Sequence, residues 1–165
     1  MKINKHFLVI TLILSLLSYS CSREKTINEQ PKIVTTTGMI ADVARAVGGD
    51  SVEVEALMGP GVDPHLYKAT QGDLGKLQSA DIIFYNGLHL EGKMGEIFEK
   101  LERIKTVIPV SRGIDTLLLL DDPIYQGTYD PHIWFDVNLW TGTIGEVLQT
   151  LVSVDPESIE YYKAN

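Results

Sequence analysis

The stretch ADIIFYNG, residues 80–87, is an unbroken apolar run that ends on an Asn-Gly turn signal. Alternating polar and apolar residues would mark a sheet with one wet face. A continuous run marks a strand buried on both faces, which is the signature of a parallel sheet. The segments around it fit that reading. KIVTTT (32–37) is β-branched and stops at Gly38, SVEVEAL (51–57) alternates as a strand, and TVIPV (106–110) is short and extended. Between them MIADVARAVGG (39–49) places Ile40, Val43, Ala44 and Val47 at helical spacing and ends on two glycines. ATQGDLGKLQSA (69–80) reads as a short helix weakened by Gly72 and Gly75. GKMGEIFEKLER (92–103) is amphipathic through Met94, Ile97, Phe98 and Leu101. Strand and helix alternating at short spacing predict an α/β fold, a parallel sheet flanked by helices.

Beyond 110 the pattern loosens. Residues 111–131 are loop-like and hold an odd leucine run, Leu117 to Leu120. VNLWTGTIGEVLQTLVSV (137–154) is the last full helix. Asp155 is a candidate N-cap and Pro156 a first-turn residue for another helix, inside which the chain stops.

The start of the chain has a different character. Lys2 and Lys5 precede FLVITLILSLL (7–17), an apolar core of signal-peptide length that is short for a membrane span. Residues 1–20 are therefore expected to be a signal peptide. Cys21, the single cysteine, follows small residues and resembles the lipidated cysteine of bacterial lipoproteins, although Ser18 stands where a leucine is usual. Residues 21–31 then form the lipidated cysteine and a polar tether. Export and anchorage as a lipoprotein on the periplasmic or outer face of the cell membrane are expected. Loss of Lys2 and Lys5 takes the formal net charge from −8 to −10. An acidic chain without a basic stripe is not built for nucleic acid.

Two histidines carry the chemistry. GPGVDPHLYKAT (59–70) and TYDPHIWFD (128–136) each set a histidine directly after Asp-Pro. Proline fixes its own φ and pushes the preceding residue toward extended backbone, so His65 and His132 sit on stiff loops. Asp63 and Asp130 can brace those turns. Both loops leave the carboxyl ends of strands, where α/β sheets bind ligands. Neutral imidazole suits zinc and other first-row ions, so His65 and His132 are candidate metal ligands. Two ligands do not complete a zinc site, which wants four groups, or three and a water. His89, in NGLHLEGKM, and Asp136 are candidates to support the ligands from behind, Asp136 by bracing an imidazole or by capping the helix. Trp134 and Tyr67 read as loop packing, Gly59 and Gly61 as turn geometry. No HExxH and no Gly-x-Ser-x-Gly is present, which argues against a metallohydrolase and against an enzyme in general. A surface adhesin is the alternative among binding functions.

VTTTGMIADVARAVGGD, MGPGVDPHLY, ADIIFYNGLHLEGKM and YDPHIWFDVNLW together resemble the metal-binding solute receptors of zinc/manganese ABC importers, the TroA-like family, across residues 32–165. The resemblance implies two α/β lobes facing across a metal-holding cleft and joined by a long helix. It implies that residues 32–154 are the N-terminal lobe and 155–165 the start of the linking helix, with the C-terminal lobe absent. His65 and His132 fall on the two histidines of that lobe. A third ligand, His or Glu, and a fourth, Asp, would come from the other lobe. The implied ligand is Mn2+ or Zn2+, and the implied partners are an ABC permease and its ATPase. SRGIDTLLLLDDPIYQGTYD (111–130) lacks the histidine-rich loop of zinc-dedicated relatives, which leans toward manganese or mixed use.

Overall fold

The structure, a computed structural model, describes residues 30–165. The expected signal peptide and Cys21 lie outside the described residues.

Strands β1 (Lys32–Thr35), β2 (Glu53–Ala56), β3 (Ile82–Tyr85) and β4 (Thr106–Pro109) form one parallel sheet in the order β2-β1-β3-β4. The chain steps from β1 to β2 on one side, then crosses to β3 on the other. That reversal puts a topological switch point between β1 and β3, where such sheets open a crevice at their carboxyl edge. Pro109 ends β4, an edge strand, where its missing N–H costs no ladder bond.

Helices cover both faces. Ile33, Ile82 and Phe84 point to one, where α1 (Gly38–Gly48), α4 (Val137–Val154) and α5 (Ile159–Ala164) supply Ile40, Ala44, Val47, Val147, Leu151 and Tyr162. Val34, Ile83 and Val107 point to the other, against Leu77 of α2 (Gln71–Ser79) and Phe98 and Leu101 of α3 (Gly95–Leu101). Ile82, Ile83 and Phe84 are consecutive and all fully buried, as the apolar run at 80–87 predicts. Truncating a side chain such as Phe84 to alanine costs about 3–5 kcal/mol in such a core.

Local sequence fixes the ends. α2 forms despite Gly72 and Gly75 because Thr70 and Asp73 make a reciprocal capping box. Lys105 donates from Nζ to the carbonyls of Leu77, Gln78 and Ala80, closing the other end of the same helix. α1 ends at Gly49, whose φ of +52° suits a residue without Cβ.

Three expectations change. The amphipathic stretch 92–103 is helical only over Gly95–Leu101, because the backbone before it turns through Leu88 and His89 at positive φ. Pro156–Ser158 is a 3₁₀ turn that precedes α5. Asp155 does not cap it with its side chain but accepts a bond from the Tyr162 hydroxyl at 2.8 Å. Among the described residues, no helix is long and apolar enough to cross a membrane.

Candidate metal centre

All four loops at the carboxyl edge of the sheet carry polar or ligating side chains. They are 36–37 after β1, 57–70 after β2, 86–94 after β3 and 110–136 after β4. The second and fourth bring the two histidines together. His65 Nε2 and His132 Nε2 lie 3.2 Å apart, 67 residues distant in sequence, with the rings tilted by 53°. Zinc–nitrogen bonds of ~2.05 Å at a tetrahedral angle put two nitrogens about 3.3 Å apart. The pair is therefore spaced as two ligands of one ion.

The two Asp-Pro-His triplets share one turn and differ in one bond. In each, the aspartate Oδ1 accepts the histidine backbone N–H at 2.9 Å, so the side chain closes the turn that proline has stiffened. Only Asp130 also reaches its imidazole, with Oδ1 2.6 Å from His132 Nδ1. An ionised carboxylate only accepts, so Nδ1 carries the proton and Nε2 presents its lone pair toward His65. The His132 backbone N–H bond, then burial working the other way, then the His132 ring set the Asp130 carboxyl below the usual carboxylate range.

Aromatic side chains wall the fourth loop. Trp134 meets the His132 ring edge-on at 5.2 Å between centroids, and Phe135 lies at 6.3 Å. Phe135 is 82% exposed and Leu66, beside His65, is 69% exposed, so the histidines sit in an open apolar rim. Tyr67 ties its loop to α2 by donating to Asp73 Oδ2 at 2.8 Å. Burial and that carboxylate push the Tyr67 phenol up to about 12.

Of the other candidates, Asp136 does not brace an imidazole. Its Oδ1 accepts the N–H groups of Asn138 and Leu139, so it caps α4 and fixes where the fourth loop ends. His89 sits at φ +64° and lines a separate pocket of about 510 Å³ with Tyr85, Glu91 and Arg112, a pocket to which neither His65 nor His132 contributes. Among the described residues, no group of three or more His, Cys, Asp or Glu is arranged to hold a metal ion, so the histidine pair offers two ligands.

Sequence reasoning passed over Glu91 and Asn86. Glu91 is buried, 4% exposed, and gathers three donors: Thr36 Oγ1 at 2.6 Å, Asn86 N–H at 2.7 Å and Gly87 N–H at 3.3 Å. Burial raises its pKa against the pull of those donors. The only signal in the sequence is the single acid of NGLHLEG, residues 86–92. Gly87 has φ +82°, and a Cβ there would meet Ser111 Oγ at 2.6 Å, so glycine is required at this bend.

The profile of the family described as zinc-uptake complex component A, periplasmic (ZnuA), matches residues 33–165. The chain belongs to this family. It is 45% identical over 135 residues to the zinc-binding protein TroA of Treponema pallidum, covering 82% of this chain and 43% of that one. It is 42% identical over 145 residues to the manganese-binding lipoprotein MntA of Bacillus subtilis, covering 87% and 47%. The solved periplasmic zinc-binding protein TroA superposes with a TM-score of 0.78 at 44% identity, over 82% of this chain and 48% of that one. A manganese-bound periplasmic metal-binding protein of Candidatus Liberibacter asiaticus gives 0.72 at 27%, over 81% and 49%. The chain thus spans about half the length of these ZnuA-family relatives. The relatives are named as binding proteins, not enzymes, and the parallel α/β sheet is the fold they share.

Proposed function

We propose that this chain is the metal-capturing N-terminal lobe of an extracytoplasmic solute receptor for Zn2+ or Mn2+, serving an ABC permease and its ATPase. The observation that carries the reading is the 3.2 Å approach of His65 Nε2 and His132 Nε2 on two separately braced loops. Residues 32–154 supply this half of the site, and 155–165 begin the helix that leads to the other. Residues 1–20 direct export, and Cys21 with the tether to 31 anchors the protein at the membrane face. The names of the relatives support the reading: TroA is named zinc-binding, MntA manganese-binding, and MtsA of Streptococcus pyogenes, 33% identical over 167 residues, an iron ABC transporter substrate-binding lipoprotein. That spread of ions among similar chains matches a lobe that fixes two imidazoles and leaves selectivity to the remaining ligands.

Chemically, the lobe binds and releases an ion and makes no covalent change. Asp130 keeps the His132 proton on Nδ1, so the ring is ready to ligate. The two Nε2 atoms already face each other at 3.2 Å, so an ion takes the place of the proton shared between them with little movement of either ring, which lowers the ordering cost of binding. Two neutral ligands leave a divalent ion half coordinated, so capture by this lobe alone is weak.

The test is titration of Zn2+ and Mn2+ into the chain from Ser22 onward, beside a His65→Ala/His132→Ala double variant. Weak binding that disappears in the variant supports the reading. Identical behaviour of the two proteins returns both histidines to loop structure.

A further inference from the structure

Asn86 is buried, 1% exposed, at the carboxyl end of β3 and between the loops that matter. Its Nδ2 donates to the carbonyl of Pro131 at 3.0 Å and to that of Gly87 at 3.1 Å. Both partners are carbonyl oxygens, which only accept, so the orientation of the amide is fixed by chemistry. Its backbone is held as firmly. The N–H donates to Glu91 Oε1 at 2.7 Å, and the carbonyl accepts from Ser111 N–H at 3.2 Å. Glu91 in turn takes the Thr36 hydroxyl at 2.6 Å and the Gly87 N–H at 3.3 Å.

These bonds join three loops. Thr36 follows β1, Asn86 and Glu91 follow β3, and Pro131 belongs to the loop after β4. The Pro131 carbonyl belongs to the peptide whose N–H is that of His132. That N–H is bound by Asp130, so the carbonyl and the amide of one peptide group are both fixed, by side chains from two different loops. A peptide plane held at both ends fixes the N–Cα axis of His132, and the Ile133 N–H, which donates to the same Pro131 carbonyl at 2.9 Å, fixes the rotation about it, so together they set the direction in which the Cα–Cβ bond leaves. The strained backbone at Gly87, Leu88 and His89, with φ of +82°, +53° and +64°, is the turn that lets Glu91 fold back under Asn86. Such strain persists where the surroundings over-determine it.

We infer that Asn86, seated on the buried Glu91 carboxylate, is a positioning residue for metal capture: it aims His132 at His65 by holding the Pro131–His132 peptide. The His65 loop receives none of these bonds, so the effect of Asn86 is specific to one of the two ligands. This inference rests on the proposed metal role of the histidine pair for its functional meaning. The aiming itself can be read without metal.

The experiment uses the chain from Ser22 onward as parent, Asn86→Ala, His132→Ala and the Asn86→Ala/His132→Ala pair. Zn2+ affinity is measured by chelator competition, and the histidine imidazole 1H–15N resonances are recorded without metal. Loss of a group that supports a ligand from behind typically weakens metal affinity ~10-fold or more. Asn86→Ala should therefore lose about 10-fold in the parent background and nothing further in the His132→Ala background. The His132 resonances should move more than those of His65, which feels the change only through the 3.2 Å contact between the rings. An affinity within about twofold of parent overturns the inference, as does an equal loss in both backgrounds. So does an equal shift of His65 and His132. If Asn86→Ala fails to fold by circular dichroism, Glu91→Gln takes its place. It keeps an acceptor for Thr36 and the Asn86 N–H but not for Gly87, and the same larger shift at His132 than at His65 is expected. If the parent takes no Zn2+, the receptor reading fails on its own, and the metal-free resonances still decide whether Asn86 aims His132.

Discussion

The two Asp-Pro-His triplets provide an internal control. Asp63→Asn and Asp130→Asn make the same change of charge in the same sequence setting. In each, the asparagine Oδ1 can still accept the histidine backbone N–H, so the turn survives. They differ because only Asp130 touches an imidazole nitrogen, at 2.6 Å. A charged hydrogen bond of that kind is worth about 1.5–3 kcal/mol when well shielded. Here the side chains of His132 and Asp130 are 39% and 35% exposed, so water screens part of it. Discounted for screening, the bond is worth about 1–2 kcal/mol, or roughly 5- to 30-fold in affinity. Asp130→Asn should therefore weaken Zn2+ binding by that factor, whereas Asp63→Asn should change it less than about twofold. Competition against a fluorescent chelator, at fixed pH and ionic strength, measures both. Equal losses would mean that only the overall negative field matters, and no loss at Asp130 would mean that the carboxylate does not prepare His132. Either result would refute the reasoning.

Thr37 Oγ1 is the one buried side-chain polar atom among the described residues without a hydrogen-bond partner, and Thr37 makes no side-chain cap to α1. Thr37→Val should leave stability unchanged or raise it by up to about 1 kcal/mol, read by thermal melting. Gly87→Ala places a Cβ against Ser111 Oγ and Pro109 Cβ at positive φ; it should cost about 2–4 kcal/mol in a urea titration. Asp73 is pushed up by burial, but the Thr70 side chain and backbone, the Tyr67 hydroxyl and the Lys76 charge more than offset this, and its pKa lies below the ordinary 3.8. A carboxyl depressed in the folded state stabilises above its unfolded pKa and loses that contribution as pH falls through the folded value. Asp73→Asn should thus be less stable near neutrality by about 1 kcal/mol, and the difference from the parent should shrink in acid below about pH 4. Urea midpoints at pH 7 and pH 3 test this, and a gap that widens in acid would contradict it.

What could be read in advance follows from which interactions are local. The strands and their parallel arrangement were legible because burial on both faces imprints a continuous apolar run, as at Ile82–Phe84. α2 was legible in position but not in cause. Its glycines argue against a helix, and the Thr70–Asp73 box that overrides them is a three-residue pattern easily missed. The two histidine loops announced themselves because their bracing is also local, each aspartate two residues before its histidine. The role of Asp136 was decided by a competition that sequence leaves open. The same carboxylate can cap a helix or reach an imidazole, and the nearer backbone N–H groups of Asn138 and Leu139 won. The long-range partners were not legible. Nothing near Asn86 says that its amide will meet Pro131, 45 residues on. Nothing near Thr36 says that its hydroxyl will meet Glu91, 55 residues on.

That division has a mechanical meaning for the site. Local turns make each histidine stiff, but stiffness alone does not make two rings converge, since each loop could be rigid and point elsewhere. Convergence has to come from bonds that tie the loops to the sheet, and here those bonds are unequal. The His132 loop is fastened to β3 through Asn86, with Glu91 fastening Asn86 to the segment after β1. The His65 loop is fastened at its start to β1 and the segment after it, through the Leu57 and Met58 N–H bonds to the Thr35 and Thr36 carbonyls, and further on to α2 through Tyr67 and Asp73. Its Leu66 and His65 are exposed, and Gly61, with φ +81°, lies just ahead of them. The His132 loop is therefore cross-tied through the core at the peptide next to its histidine, whereas the ties of the His65 loop lie at its start and at Tyr67.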